Sequence, residues 1–270
     1  MEVRKITAAV EEAAKVGAYA SCKYCTEDTL SIGDMVICAG CENVITYSQD
    51  VTDKHNVRLS QKMAQLHNLI ASGDFKSAVE AYALEHAGAQ EPQALYAEAL
   101  LYIRYSNHET SLINHSLHGF MEENISHRNA AAATYSTARL KLNRVIRIVE
   151  AETSAGTRSI LLDYTAFLSH IKLGELRAAG LLLDAMKSYD TPYVHAYAAT
   201  VYAAANSDYA GILSNAEAFC SKGSFSISGL YYVSWALLKL GRKKEAKELA
   251  LSLRKYLKND SLEALIALMG

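Results

Sequence analysis

Four of the five cysteines in this chain form two Cys-x-x-Cys pairs near the N-terminus. The pairs are Cys22 with Cys25 and Cys38 with Cys41, and twelve residues separate one pair from the other. A two-residue gap in a tight turn directs both sulfur atoms towards one ion, and two such turns complete a tetrahedral shell of four thiolates. The spacing therefore predicts one structural zinc ion, with Cys22, Cys25, Cys38 and Cys41 as its ligands.

The sequence leaves three alternative uses of these thiols open, although it favours zinc. Iron is bound by the same set of four cysteines in rubredoxin-like sites. A redox-active dithiol formed by one cysteine pair is a further alternative. Disulfides require an oxidising compartment, and the first 17 residues lack the apolar core of a signal peptide. Because a closed four-thiolate shell leaves no coordination position for a substrate, we expect a structural role for the ion and no catalysis at it.

Short strands are predicted around the cysteine pairs, and they would position the four thiols. The segments "TLSI" and "MVIC" flank Gly33-Asp34, which is a two-residue turn signal. The segment "NVITYS" follows the second pair and is rich in β-branched residues, which favour strands. The pattern predicts a zinc ribbon over residues 19–50, preceded by an amphipathic helix in residues 1–18.

The stretch "GDMVICAGCENVI" resembles the second half of the zinc ribbon at the N-terminus of general transcription factor B. The resemblance covers about residues 19–48 and implies two metal-binding knuckles on antiparallel strands. Thr26 and Glu42 hold the positions at which such knuckles often have glycine. Lys23 is the only base in residues 19–50, against five acidic residues. This negative charge would repel phosphate, so a protein is the expected partner of the ribbon and nucleic acid is not favoured.

From about residue 55 onward the sequence repeats a pattern typical of helical hairpins. In three segments a glycine at a helix end is followed five positions later by an alanine. Weaker copies have asparagine, which shares the tolerance of glycine for the left-handed conformation that ends helices. The six turn points lie 31 to 36 residues apart, which predicts stacked hairpins. They are Gly73 with Ala78, Gly174 with Ala179, Gly241 with Ala246, and the asparagines Asn107, Asn143 and Asn206.

These repeats resemble the tetratricopeptide (TPR) family, chiefly through the small residue early in the second helix of each pair. The Trp, Gly and Tyr positions of the family's first helix, and its proline between repeats, are mostly not matched. The resemblance implies a mostly α fold: an α-solenoid of about six TPR-like hairpins over residues 55–270, with the small zinc-binding β-ribbon at its N-terminal end.

Two further groups of polar residues are candidate sites without an assigned role. On a helical wheel, His108, His115, His118 and Glu122 share one predicted solvent-facing side. Two histidines one turn apart have the spacing of a surface metal site, but a solvated polar face is the favoured interpretation of this side. Seventeen tyrosines, among them Tyr189, Tyr193, Tyr197, Tyr231 and Tyr232, would line a binding groove or pack between hairpins.

Basic residues concentrate in two runs. Residues 239–258 carry eight Lys or Arg against two Glu, and the second run contains Arg139, Lys141, Arg144 and Arg147. Such runs either form solvated helix faces or bind nucleic acid or an acidic partner. The fifth cysteine, Cys220, lies among apolar residues and is predicted to be a small buried side chain.

Composition and motifs narrow the function class. The net charge of −2 provides no overall attraction to nucleic acid or membranes. The longest uncharged apolar run is shorter than the roughly 20 residues that span a bilayer, so we expect an intracellular, cytoplasmic protein without membrane insertion. No phosphate-binding glycine loop, nucleophile elbow or metalloprotease helix occurs in the sequence. A non-enzymatic role is therefore expected.

Two functions fit these observations. The first is a scaffold for protein–protein interaction, in which the helical array binds a protein segment and the ribbon caps the first hairpin or docks a second partner. The alternative is a nucleic-acid-associated or transcription-linked factor, which would dock through the ribbon and use the basic runs for contact. The positions of the two basic runs distinguish these functions, because a shared basic face favours the second.

Overall fold

The computed structural model divides the chain into two compact units, and each is described by itself. Unit 1 comprises residues 1–55 and 159–270, and unit 2 comprises residues 56–158. The predicted segments 1–18, 19–50 and 55–270 stay predictions. The two units group residues by spatial contact and therefore do not test these boundaries along the sequence. The structure describes residues 3–16, 19–22, 24–25, 28–30, 35–46, 61–86, 88, 91–113, 122–220, 226–257 and 260–270.

Two small antiparallel hairpins form the predicted ribbon in unit 1. Strand β1 (Tyr19–Ser21) pairs with β2 (Asp28–Leu30), and β3 (Met35–Ile37) pairs with β4 (Val44–Thr46). The prediction of strands after the first cysteine pair and around the second is thus confirmed, whereas β1 was not predicted. Each cysteine pair lies at the tip of one hairpin. The predicted Gly33-Asp34 turn lies outside the described residues.

Unit 2 consists of two pairs of consecutive helices in its described residues. In the first pair, α2 (Gln61–Ala71) and α3 (Phe75–Glu85) are joined by a tight turn in which Gly73 has a φ of 79°. In the second pair, α4 (Pro92–Ser111) packs along α5 (Glu122–Ser154), a helix of 33 residues. Ala138, Leu142 and Val145 are buried on the inner side of α5.

Two of the predicted turn points are wrong, because Asn107 lies inside α4 and Asn143 lies inside α5. The Asn143 side chain donates a hydrogen bond to the carbonyl of Arg139, one helical turn back, over 2.8 Å. The buried stripe of α5 continues past this position at Val145 and Val149. Burial of that stripe outweighs the weak preference of asparagine for a helix end. Among the described residues, the consecutive helices therefore form five pairs, against the six hairpins predicted.

The remaining helices of unit 1 also pack in consecutive pairs, and neighbouring pairs contact one another. Gly174 and Gly241, with φ of 78° and 79°, form two of the turns as predicted. At the third turn Asn206 follows the last helical residue, and Ser207 adopts the left-handed conformation with a φ of 59°. The helices are α6 (Ile160–Leu173), α7 (Leu176–Met186), α8 (Pro192–Ala205), α9 (Tyr209–Cys220), α10 (Ile227–Lys239), α11 (Lys243–Leu253) and α12 (Asp260–Leu268).

An N-terminal helix completes the core of unit 1. The amphipathic pattern of α1 (Val3–Val16) predicts one apolar side with Val3, Ile6, Val10 and Ala13 or Ala14. Val3, Ile6 and Val10 join the core cluster and Ala14 packs against it, whereas the side chain of Ala13 lies outside the described residues. Helix α1 packs against α11.

The small residues predicted early in the second helix of each pair are buried. Ala78 in unit 2 and Ala179 and Ala246 in unit 1 are each 0% exposed. These alanines permit close approach of the paired helices, as the repeat pattern predicts.

We expect the variant Gly241→Ala to lower the free energy of unfolding by about 1 kcal/mol or more, because an L-residue in the left-handed region is strained. A Cβ atom at Gly241 would meet no other atom within 4 Å, so the cost arises from the backbone alone. The reverse change, Ser207→Gly, relieves the same strain and should leave stability within about 0.5 kcal/mol of the parent chain. Urea denaturation measures both, and equal effects of the two variants would contradict the explanation.

Candidate metal centre

Each cysteine pair lies between the two paired strands of one hairpin. In the second hairpin, the amide of Cys38 donates to the carbonyl of Asn43 over 2.8 Å, and the amide of Glu42 donates to the carbonyl of Cys38 over 3.0 Å. These bonds close the turn that holds Cys38 and Cys41. The two hairpins are linked, because the amide of Ala39 donates to the buried hydroxyl of Thr29 over 2.9 Å. The pairs are thereby held against each other.

The four sulfur atoms cluster at a distance that fits one tetrahedral ion. All of them lie within 4.8 Å of one another. The Sγ atoms of Cys22 and Cys41 are 3.6 Å apart, and those of Cys25 and Cys38 are 3.3 Å apart. With zinc–sulfur bonds of about 2.3 Å, the edge of a zinc–thiolate tetrahedron is about 3.8 Å. The predicted ligands are therefore brought together in a geometry that is consistent with zinc.

Hydrogen-bond donors surround the sulfur atoms. The amide of Tyr24 points to Cys22 Sγ at 3.4 Å, and the amide of Gly40 points to Cys38 Sγ at 3.3 Å. The side-chain amide of Asn43 donates to Cys41 Sγ over 3.3 Å. N–H groups that face sulfur stabilise the negative charge of a thiolate and orient it towards a metal. The surroundings of the cluster thus favour deprotonated, metal-bound cysteines.

The four cysteines could all be deprotonated at these short distances only if a cation neutralised their negative charges. Burial raises the pKa of Cys41, and the hydrogen bond with Cys22 raises that of Cys25. The same contact with Cys25 lowers the pKa of Cys22. Without a cation, the cluster therefore keeps protons that a metal would displace on binding. With all four sulfurs on one ion, no coordination position is left for a substrate, which makes the site suited to a structural metal.

Glu42, to which the sequence pattern gives no role, connects the turn of the second cysteine pair to two helices. It has a φ of 59°, the left-handed region in which such turns often have glycine. Its backbone carbonyl accepts a 2.8 Å hydrogen bond from the phenol of Tyr164 in α6. Its carboxylate accepts one from Tyr232 in α10 over 3.1 Å and forms a 3.0 Å ion pair with Lys172. The carboxylate of Glu42 thus makes two contacts that a glycine at this position could not make.

The tyrosines around Glu42 act as hydrogen-bond donors. Burial raises the pKa of Tyr164 and of Tyr232, and the negative charge of Glu42 raises both further. Both phenols consequently keep the proton that they donate to Glu42. In α10, the hydroxyl of Ser228 also points to the carbonyl of Cys38 at 3.5 Å. The ribbon is thus fastened to α6 and α10 through the backbone and side chain of its second knuckle.

The other candidate groups from the sequence are not part of this cluster. His108 is half-buried, with its ring 5.1 Å from that of Phe75, so it differs from the solvent-facing residue that was predicted. His115 and His118 lie outside the described residues, as does the side chain of Glu122. His127 contacts Glu109, with 2.6 Å between Nδ1 and Oε2. Among the described residues the four cysteines form the only group with metal-binding spacing.

The predicted tyrosine cluster contributes mainly to packing in unit 1. Tyr197 is 0% exposed, and its ring lies 6.5 Å from that of Tyr164. The phenol of Tyr189 donates to the carboxylate of Asp163 over 2.9 Å. The rings of Tyr231 and Tyr232 meet edge to face.

The two predicted basic runs belong to different units, in α5 and around α11. Part of their charge is neutralised within the protein. Lys141 pairs with Glu98 over 2.7 Å, and Arg242 pairs with Glu245 over 2.7 Å.

Cys220 lies on α9, apart from the cluster, and burial raises its pKa to about 12. We expect this thiol to react slowly with iodoacetamide near neutral pH, because the thiolate is the reactive form. Its alkylation rate should rise roughly tenfold per pH unit well below pH 12. With zinc bound, the other four cysteines should be protected, and a chelator should expose them. Mass spectrometry counts the alkylated thiols; rapid modification of all five in the zinc-loaded protein would contradict this assignment.

None of the helices in the described part of the chain combines the length and the apolar character that crossing a bilayer requires. Searches against protein-family models, curated proteins and solved structures find no match to this chain.

Proposed function

We propose that this protein is a non-enzymatic scaffold for protein–protein interaction. In this proposal, TPR-like helical pairs provide the binding surface, and a structural zinc ion holds a ribbon of the transcription factor B type. The observation that carries the proposal is the attachment of the second knuckle to α6 and α10 through Glu42. A metal centre that is closed by four thiolates and fastened to helices contributes to the rigidity of a surface.

Exposed apolar side chains on the helices support a role in binding. Single exposed apolar side chains are common on protein surfaces, and a partner that covers them gains hydrophobic free energy. In unit 1, Leu181 on α7 is 68% exposed and Leu268 on α12 is 73% exposed. In unit 2, Leu84 on α3 is 78% exposed and Leu140 on α5 is 71% exposed. A protein partner would bury such leucines, whereas nucleic acid would gain little from them.

The transcription-linked alternative is supported by lysines of the 239–258 run that project into solvent on α11. It is the weaker candidate, because the ion pairs of Lys141, Arg242 and Arg254 reduce the charge available to phosphate. Arg254 is held by Glu263 over 2.8 Å.

Affinity isolation of the tagged, zinc-loaded chain from its native cells, with and without nuclease, tests the proposal. A protein that co-purifies in stoichiometric amount after nuclease treatment, and crosslinks to the helices, is the expected result. Native mass spectrometry would give the stoichiometry of that complex. Nuclease-sensitive association, or isolation of the chain alone, would contradict a scaffold role.

A further inference from the structure

The outer surface of α11 carries exposed basic and apolar side chains together. Its inner side, formed by Ala246, Leu249, Ala250 and Leu253, is 0% exposed and belongs to the core of unit 1. Lys244, Lys247 and Leu251 follow one another at spacings of three and four residues, which places them on one side of a helix. The name "α11 outer face" is used for the exposed residues Leu240, Lys243, Lys244, Lys247 and Leu251.

The lysines of this face differ from the arginines of the same basic run. Arg242 is bound by Glu245, and Arg254 is bound by Glu263. Within the described part of the chain, Lys243, Lys244 and Lys247 have no ion-pair partner. Glu248 is the one acidic residue exposed beside them on α11. The two described arginines of this run are thus paired with glutamates, and the three lysines leave a net positive charge on this surface.

Two leucines interrupt the positive charge of the face. Leu240, in the turn before α11, is 45% exposed, and Leu251 is 42% exposed. Apolar side chains in solvent gain about 25 cal/mol for each Å² that a partner covers. The combination of leucine and lysine fits a partner that offers both apolar and acidic groups.

We infer that the α11 outer face docks an acidic, leucine-containing segment of a partner protein, an inference that rests on the proposed scaffold function. Leu240 and Leu251 would contact the apolar side chains of that segment, and the three lysines would face its carboxylates. A protein segment is favoured over nucleic acid on three grounds. The arginines, which suit phosphate best, are already bound; Glu248 would repel phosphate; and α11 carries no aromatic side chain on which a base would stack.

The test uses the full, zinc-loaded chain and a fluorescein-labelled synthetic helix of about four turns with leucines and glutamates on one side. Fluorescence anisotropy gives its Kd, and a peptide with lysine in place of each glutamate is the charge control. In the variant Lys244→Glu/Lys247→Glu we expect the Kd to rise at least about tenfold, and Leu251→Ser should also weaken binding. The matched control Lys76→Glu/Arg177→Glu makes the same change in net charge at exposed positions elsewhere and should change the Kd less than about twofold.

Four outcomes would overturn the inference: no binding of the acidic peptide, equal binding of the basic peptide, equal loss in the two double variants, or tighter lysine-dependent binding of a single-stranded oligonucleotide. Circular dichroism of each variant verifies that its helices are retained. The scaffold proposal is tested separately by the isolation experiment. If a co-purifying protein crosslinks only to other helices, the scaffold function is supported while docking at the α11 outer face is excluded.

Discussion

The double variant Cys22→Ser/Cys38→Ser should contain no zinc, whereas the parent chain should contain one zinc ion. These serines remove one ligand from each knuckle, and two remaining thiolates do not complete a tetrahedral site. Structural zinc contributes about 10–16 kcal/mol of apparent binding free energy in zinc-finger peptides. We expect the variant to lose the fold of the ribbon and at least about 3 kcal/mol in the free energy of unfolding of unit 1.

Elemental analysis and native mass spectrometry under reducing conditions measure the metal, and far-UV circular dichroism with urea denaturation measures stability. The matched control is Cys220→Ser, which also replaces a cysteine in unit 1 but should keep one zinc ion. Iron in place of zinc would retain the site and change the identity of its ion. A metal-free parent chain with a mass lowered by two or four protons would instead indicate disulfides and overturn the zinc ribbon.

Substitution of Glu42 should separate metal binding from attachment of the ribbon. In Glu42→Ala, the phenol of Tyr232 and the ammonium group of Lys172 lose their acceptor, while the four sulfur ligands are unchanged. Lys172 is 27% and Glu42 13% exposed, so the ion pair is partly desolvated. We expect a loss of about 2–3 kcal/mol in the free energy of unfolding, with zinc retained.

Glu42→Gly is the matched control for the backbone at this position. Glycine tolerates a φ of 59°, so this variant should be about 1 kcal/mol more stable than Glu42→Ala although it lacks the same carboxylate. A double-mutant cycle of Glu42→Gln with Lys172→Met should yield a coupling energy of about 1–3 kcal/mol. Unchanged stability in Glu42→Ala, or loss of zinc from it, would show that Glu42 does not have the proposed role.

Local patterns in the sequence predicted much of this structure, because the interactions concerned are local. The four cysteines lie within twenty residues of one another, and their spacing was sufficient to predict that their sulfur atoms meet. The turns at Gly73, Gly174 and Gly241 follow from the need for a left-handed residue at a helix end. The amphipathic N-terminal helix was likewise evident from the spacing of Val3, Ile6 and Val10.

Features that depend on distant contacts were not evident. Asn143 is of a residue type that often ends helices, yet it lies inside α5 because α5 packs along α4. Glu42 differed visibly from the expected glycine, but its partners Tyr164 and Tyr232 are more than 100 residues away. No periodicity indicates which helices a ribbon will contact. The sequence therefore predicted which residues form the cysteine cluster, but it did not predict which helices the ribbon contacts.

The attachment of the ribbon to α10 also determines the order of folding steps during synthesis. The hydrogen bonds from Ser228 to Cys38 and from Tyr232 to Glu42 join residues 190 positions apart. At a translation rate of about 5–20 residues per second, α10 is made roughly 10–40 s after the second knuckle. All four cysteines are made before α6 and α10, so the ribbon could bind an ion early in synthesis. Its contacts with α10 can form only after α10 has been synthesised. A chain that terminates after α6 but before α10 would keep the contacts of Glu42 with Tyr164 and Lys172 and would lack the hydrogen bond from Tyr232.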